Sequence, residues 1–126
     1  MNYAFKMMAV FLALGVLVLQ GCQTTKNKYV GEYKDGQYHG YGSMSFPNGE
    51  IYEGEWKFGK RDGQGTNIWK NGSKYVGGFS NGLRHGNGKE ILSTGSRYEG
   101  EYRNNQFHGY GKYFHMTGET YTGEWK

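Results

Sequence analysis

One six-residue phrase governs the chain. YVGEYK at Tyr29 returns as YEGEWK at Tyr52, YVGGFS at Tyr75, YEGEYR at Tyr98 and YTGEWK at Tyr121. Each copy starts 23 residues after the last, with no insertion. A fixed period of this size marks a repeat architecture, in which each unit buries its apolar side only by stacking on its neighbours. The chain holds 23 glycines, 12 tyrosines, 7 phenylalanines and 3 tryptophans. Glycine-rich polar composition alone would suit a flexible low-complexity chain. The register excludes that: beyond residue 21 every glycine except Gly78 falls in the third, eighth, twelfth, fourteenth or twenty-first column of the repeat.

Each unit reads as a hairpin. The repeated phrase alternates faces as a strand does. KDGQ, KFGK, SNGL or RNNQ follows it. Asp-Gly and Asn-Gly are the strongest short hairpin signals, because both central residues accept positive φ. A second strand is expected after the HGYG or DGQG segment, over Ser43 to Phe46 and Lys112 to His115, followed by a second turn at PNGE, KNGS, STGS or TGET. Pro47 stands beside such a turn, where it interrupts no ladder. The expected fold is all-β: an elongated, twisted, single-layer antiparallel meander. Its units are 29–51, 52–74, 75–97 and 98–120, and 121–126 forms a ninth, closing strand that pairs with the second strand of the fourth unit. At about 4.8 Å per strand, such a sheet spans roughly 38 Å.

Two aromatic columns share one face: Tyr29, Tyr52, Tyr75, Tyr98 and Tyr121 in the first column, and Tyr33, Trp56, Phe79, Tyr102 and Trp125 in the fifth. The glycine between them clears room for rings to lie over the backbone and pack along the array. Aliphatic residues are scarce after the first 21, so these columns serve either as the core or as a platform for a ligand such as a sugar ring. The opposite face carries Glu32, Glu55, Glu101 and Glu124, with Lys34, Lys57, Arg103 and Lys126 two residues on. These charges suit cross-strand pairing, and the plainer expectation is a solvated charged face.

YEGEWKFGKRDGQGT and YEGEYRNNQFHGYGKY resemble MORN repeats, a family built on a 23-residue Tyr-Glu-Gly-Glu-Trp, turn, His-Gly-x-Gly unit. The resemblance covers 29–126. It implies a sheet of hairpins and a binding or scaffolding role toward proteins or phospholipid surfaces, with no catalysis and no cofactor.

The amino terminus, MNYAFKMMAVFLALGVLVLQGC, has one charge, Lys6, before Cys22. Its apolar run, Met7 to Leu19, is shorter than the roughly 20 residues of a spanning helix, so a secretory signal is expected over 1–21. Cys22 is the single cysteine and cannot form an intramolecular disulfide. LQGC resembles a bacterial lipobox. That resemblance implies cleavage between Gly21 and Cys22, acylation of the Cys22 thiol, and a short linker over 22–28. It implies a membrane held through N-terminal acyl chains in a bacterial cell envelope. Gln23 favours the outer membrane if the cell has two.

His39, His85 and His108 share the eleventh column, but stand in the hairpin connections of separate units, too far apart to converge on one ion. No metal site, catalytic triad, phosphate loop or paired-acid motif is expected, and no helix follows the glycine pairs to make a dinucleotide fingerprint. The net charge is +4, and basic residues interleave with glutamates, so nucleic acid is not an expected partner. The expected function is that of a non-enzymatic, lipid-anchored scaffold with a protein partner. Glycan binding by the aromatic columns and phospholipid binding by the sheet are the alternatives.

Overall fold

The computed structural model describes residues 26–126. The signal segment 1–21, the Gly21–Cys22 junction and most of the linker lie outside the described residues. The chain forms one open sheet of nine antiparallel strands in sequence order: β1 Lys28–Lys34, β2 Gln37–Ser45, β3 Ile51–Lys57, β4 Lys60–Ile68, β5 Lys74–Ser80, β6 Leu83–Ile91, β7 Arg97–Arg103, β8 Gln106–Phe114 and β9 Thr120–Trp125. The expected all-β meander is observed, and the closing strand β9 pairs with β8 as expected.

The two kinds of turn differ by their chemistry. At the first, both central residues are left-handed: Asp35 and Gly36 (φ 50° and 75°), Phe58 and Gly59, Asn81 and Gly82, Asn104 and Asn105 (φ 47° and 71°). These turns twist with the strands they join, which keeps each hairpin regular. At the second, the amide of Gly49 donates to the Phe46 carbonyl (3.0 Å), and that of Phe46 to the Glu50 carbonyl (2.8 Å). The same pattern recurs at Trp69, Leu92 and His115. The glycine here has positive φ, the geometry of a three-residue loop with a bulge.

The second strand starts earlier than expected. It begins directly after the first turn, so the HGYG segment lies inside β2 and its equivalents inside β4, β6 and β8. His39, His85 and His108 are therefore strand residues, not members of the connection. The ladder absorbs the segment with a bulge, seen as a register shift between Gly31 and Tyr33, Gly54 and Trp56, Gly77 and Phe79, and Gly100 and Glu101. A bulge lets one strand carry an extra residue without losing the pairing beyond it.

The core lies on one face: Met44, Tyr52, Trp56, Tyr75, Phe79, Tyr98 and Tyr102. Tyr52 and Tyr75 are wholly buried, at 0% exposure, in a sheet with no second layer. Something on the same sheet must therefore cover them.

Candidate interaction site

The first-column tyrosines lie along their own strands. Each hydroxyl donates to the carbonyl three residues on: Tyr29 to Glu32 (2.8 Å), Tyr52 to Glu55 (2.8 Å), Tyr75 to Gly78 (2.9 Å), Tyr98 to Glu101 (2.9 Å) and Tyr121 to Glu124 (3.2 Å). The glycines make this possible. A methyl group added to Gly54 would stand 2.7 Å from the Tyr52 hydroxyl and 2.5 Å from the Cα of Gly65 across the ladder.

Tyr29, Tyr52, Tyr75 and Tyr98 each meet two fifth-column rings, their own and that of the next unit, and Tyr121 meets its own. The centroids lie 5.0–5.6 Å apart at 80–89°. The packing is edge-to-face, which suits the ring quadrupole, and it runs unbroken from Tyr29 to Trp125.

The covering layer comes from the tenth column, which sequence reasoning passed over. Tyr38 stacks on Tyr29 at 4.1 Å and Phe107 on Tyr98 at 3.8 Å. In the two middle units the column holds arginines. The Arg61 guanidinium lies over Tyr52 (5.5 Å), Phe46 (5.4 Å) and Phe79 (5.8 Å). That of Arg84 lies over Tyr75 (5.7 Å), Trp69 (5.6 Å) and Tyr102 (5.1 Å). These are cation–π distances. A guanidinium serves here as the cover over a ring.

The sixteenth column adapts to the tenth. Opposite Tyr38 it is Met44. Opposite Arg61 it is Asn67, whose Oδ1 accepts from Nη1 at 2.6 Å, while Glu50 accepts from the same nitrogen at 2.8 Å. Opposite Arg84 it is Glu90, which accepts from Arg84 Nη1 (2.8 Å) and from the Tyr102 hydroxyl (3.0 Å). Glu90 is buried, yet both its oxygens are satisfied, as a buried carboxylate requires. Burial pushes the phenol of Tyr102 up well beyond its ordinary range, and Glu90 beside it adds to the effect. Burial also raises Tyr52 against the opposing pull of Arg61, and raises Tyr75 to about 12 against that of Arg84.

Between the two arginines opens a cavity of about 270 Å³, lined by Glu50, Arg61, Asn67, Trp69, Phe79, Gly82, Arg84 and Asn105. Here the sheet offers ring surface, guanidinium and amide donors, and a carboxylate together. Among the described residues no group of three or more His, Cys, Asp or Glu is placed to hold a metal ion.

Six predicted column residues, Tyr52, Trp56, Tyr75, Phe79, Tyr98 and Tyr102, stand in the core. Tyr29 and Trp125 are half-buried, and Tyr33 and Tyr121, at the two ends, are exposed. The structure thus turns most of these rings inward. The charges of the opposite face are exposed, as a solvated charged face requires, and three of the glutamates also bond to backbone. The carboxylates of Glu32, Glu55 and Glu101 accept backbone amides from Tyr41, Gln64 and Tyr110. The bulge leaves those amides facing a carboxylate instead of a neighbouring carbonyl.

A family model described as MORN repeat matches residues 29–51, 52–74, 75–97 and 98–119. No curated protein matches the chain. The four matches run end to end over most of the sequence, and their boundaries coincide with the hairpin units of the sheet. The chain belongs to the MORN-repeat family.

Proposed function

We propose that this is a non-enzymatic, lipid-anchored protein of a bacterial cell envelope, whose MORN sheet serves as a scaffold for a protein partner close to the membrane. Membership of the family supports an interaction role at membranes or with proteins. The observation that carries the tethered part is the distance from Cys22 to the sheet. β1 opens at Lys28, so only five residues separate it from the lipobox cysteine. From Cys22 to Lys28, six steps at 3.3–3.6 Å per residue reach no further than about 20 Å. With two or more acyl chains at Cys22 the anchoring is stable. The sheet then works within one linker length of the headgroups, where Lys26 and Lys28 each add on the order of 1 kcal/mol of attraction to anionic lipid.

The experiment is fractionation of cells expressing the full chain or its Cys22→Ala variant, with metabolic labelling by a fatty-acid analogue. The unaltered protein is expected to label and to stay with membranes through a high-salt wash. The variant is expected to lose the label and leave the membrane. A variant that still pellets would remove the lipid anchor from this reading. Crosslinking in the same cells then identifies the protein held.

A further inference from the structure

On the outer face of the sheet three units hold a glutamate carboxylate against a backbone amide, and the third unit does not. Glu32, Glu55 and Glu101 each fold back over the bulge to accept the amide of Tyr41, Gln64 or Tyr110. The carboxylate rests against the preceding glycine. A methyl group on Gly40 or Gly109 would come within 2.7 or 2.6 Å of it. These glycines have positive φ, 65° at Gly40, 104° at Gly63 and 54° at Gly109. Backbone turned in this way directs amides outward into a concavity that receives anions.

The third unit lacks the carboxylate. Gly86 has φ 79°, in line with its counterparts. The residue in the glutamate column is Gly78. Nothing stands within 4 Å of the point where a Cβ on Gly86 would lie, and Gly86 is exposed where Gly40, Gly63 and Gly109 are half-covered. Asn87 follows Gly86 as Tyr41 follows Gly40. A side chain cannot be supplied locally without a backbone shift, because a Cβ on Gly78 would run into the His85 carbonyl oxygen. Beside this hollow lies a groove of about 410 Å³ that crosses β4 to β7, lined by Gln64, Val76, Asn87, Lys89 and Glu99 and floored by Gly77, Gly88 and Gly100. Lys89 Nζ is 3.7 Å from Glu99, and both side chains are at least half exposed.

We propose that the third unit is a docking site for a carboxylate supplied by another protein, a glutamate or aspartate side chain of a partner segment lying in this groove. The three sibling units show which chemical group the hollow accepts. The backbone of Gly77, Gly88 and Gly100 floors the groove, and Gln64 and Lys89 provide donors along it. This site does not depend on the membrane tether.

The test is an amide-resolved NMR titration of the isotope-labelled full chain in detergent micelles. The probes are acetyl-Gly-Glu-Gly-amide, its Gln analogue and sodium acetate. The Glu peptide is expected to move the Asn87 amide saturably and to leave Tyr41, Gln64 and Tyr110 in place. The Gln analogue is expected to do nothing, and acetate to bind several-fold more weakly than the peptide. An unmoved Asn87, or an equal response to the Gln analogue, overturns the site. Acetate binding as tightly as the peptide overturns the protein partner. Lys89→Glu is expected to weaken peptide binding several-fold, and unchanged affinity there overturns the groove.

Discussion

Phe58 is a residue in a conformation its type resists. It occupies the first left-handed position of a hairpin turn, with φ 50°, and its ring is 65% exposed. The equivalent residues are Asp35, Asn81 and Asn104, which tolerate this backbone. Phe58→Asn is therefore expected to stabilise the protein by about 0.5–1 kcal/mol, seen as a rise of several degrees in the thermal midpoint. The tyrosine hydroxyls show the opposite case, a polar group fully employed. Tyr52→Phe removes a donor from the Glu55 carbonyl and is expected to cost about 1 kcal/mol. Tyr121→Phe, at the exposed end of the ladder, is expected to cost much less in the same denaturant titration. The buried phenols also set an alkaline limit. Tyr29 and Tyr75 are both pushed up to about 12, chiefly by burial, against an ordinary value of 10.0. Their folded pKa lies above the unfolded one, so the contribution is whole below pH 10 and is lost as pH rises through 12. Phenolate absorbance should accordingly lag behind that of free tyrosine and then rise together with unfolding.

At the scale of the element, each hairpin is a matched set of columns. The tenth and sixteenth positions change together: Tyr38 with Met44, Arg61 with Asn67, Arg84 with Glu90, Phe107 with Tyr113. The reason is physical. A guanidinium over the rings needs polar acceptors beneath it, whereas an aromatic cover needs an apolar neighbour. Arg61→Tyr alone leaves Glu50 and the buried Asn67 without their donor. Asn67→Met alone removes one acceptor from Arg61. The double variant Arg61→Tyr/Asn67→Met reproduces the pair of the first unit and is expected to be less destabilised than the sum of the two single variants. A coupling of about 0.5–3 kcal/mol in a double-mutant cycle is the expected result. The glycine of the fourteenth column is just as restricted. The Cβ of Gly65→Ala would fall 2.5 Å from a ring carbon of Tyr52 and closer still to its hydroxyl. A loss of about 1–3 kcal/mol follows from such overpacking.

At the scale of the whole molecule, each unit touches only its neighbours, and stability passes along the array. The end units need covers of their own. Trp125 of β9 packs edge-on against Tyr98 (5.6 Å) and Phe107 (5.2 Å), and its Nε1 donates to the Gly111 carbonyl at 3.5 Å. Deleting 121–126 uncovers these rings and leaves β8 as a longer open edge. Hydrogen exchange in β7 and β8 is expected to accelerate first, with concentration-dependent association of the exposed edge. Uniform exchange along the sheet after this deletion would contradict a capping role for β9.

The period, the strand count, the positive-φ turns and the closing strand follow from the sequence alone, because each rests on local chemistry repeated in register. Asn-Gly can be read as a turn wherever it stands, and a glycine column between tyrosines as room for rings. Four features required the folded sheet. The bulges draw the HGYG segment and its histidines into the strands. The glutamates turn to backbone amides that only the bulge exposes. Arg61 and Arg84 lie over rings contributed by other parts of the sheet. The hollow above Gly86 acquires meaning only beside its three filled siblings. In each case the deciding contact joins residues from different strands, and no single window of sequence contains both partners. A column holding Tyr38, Arg61, Arg84 and Phe107 looks irregular as a list of types; it becomes one function, covering a tyrosine ring, once the sheet brings each member over its ring.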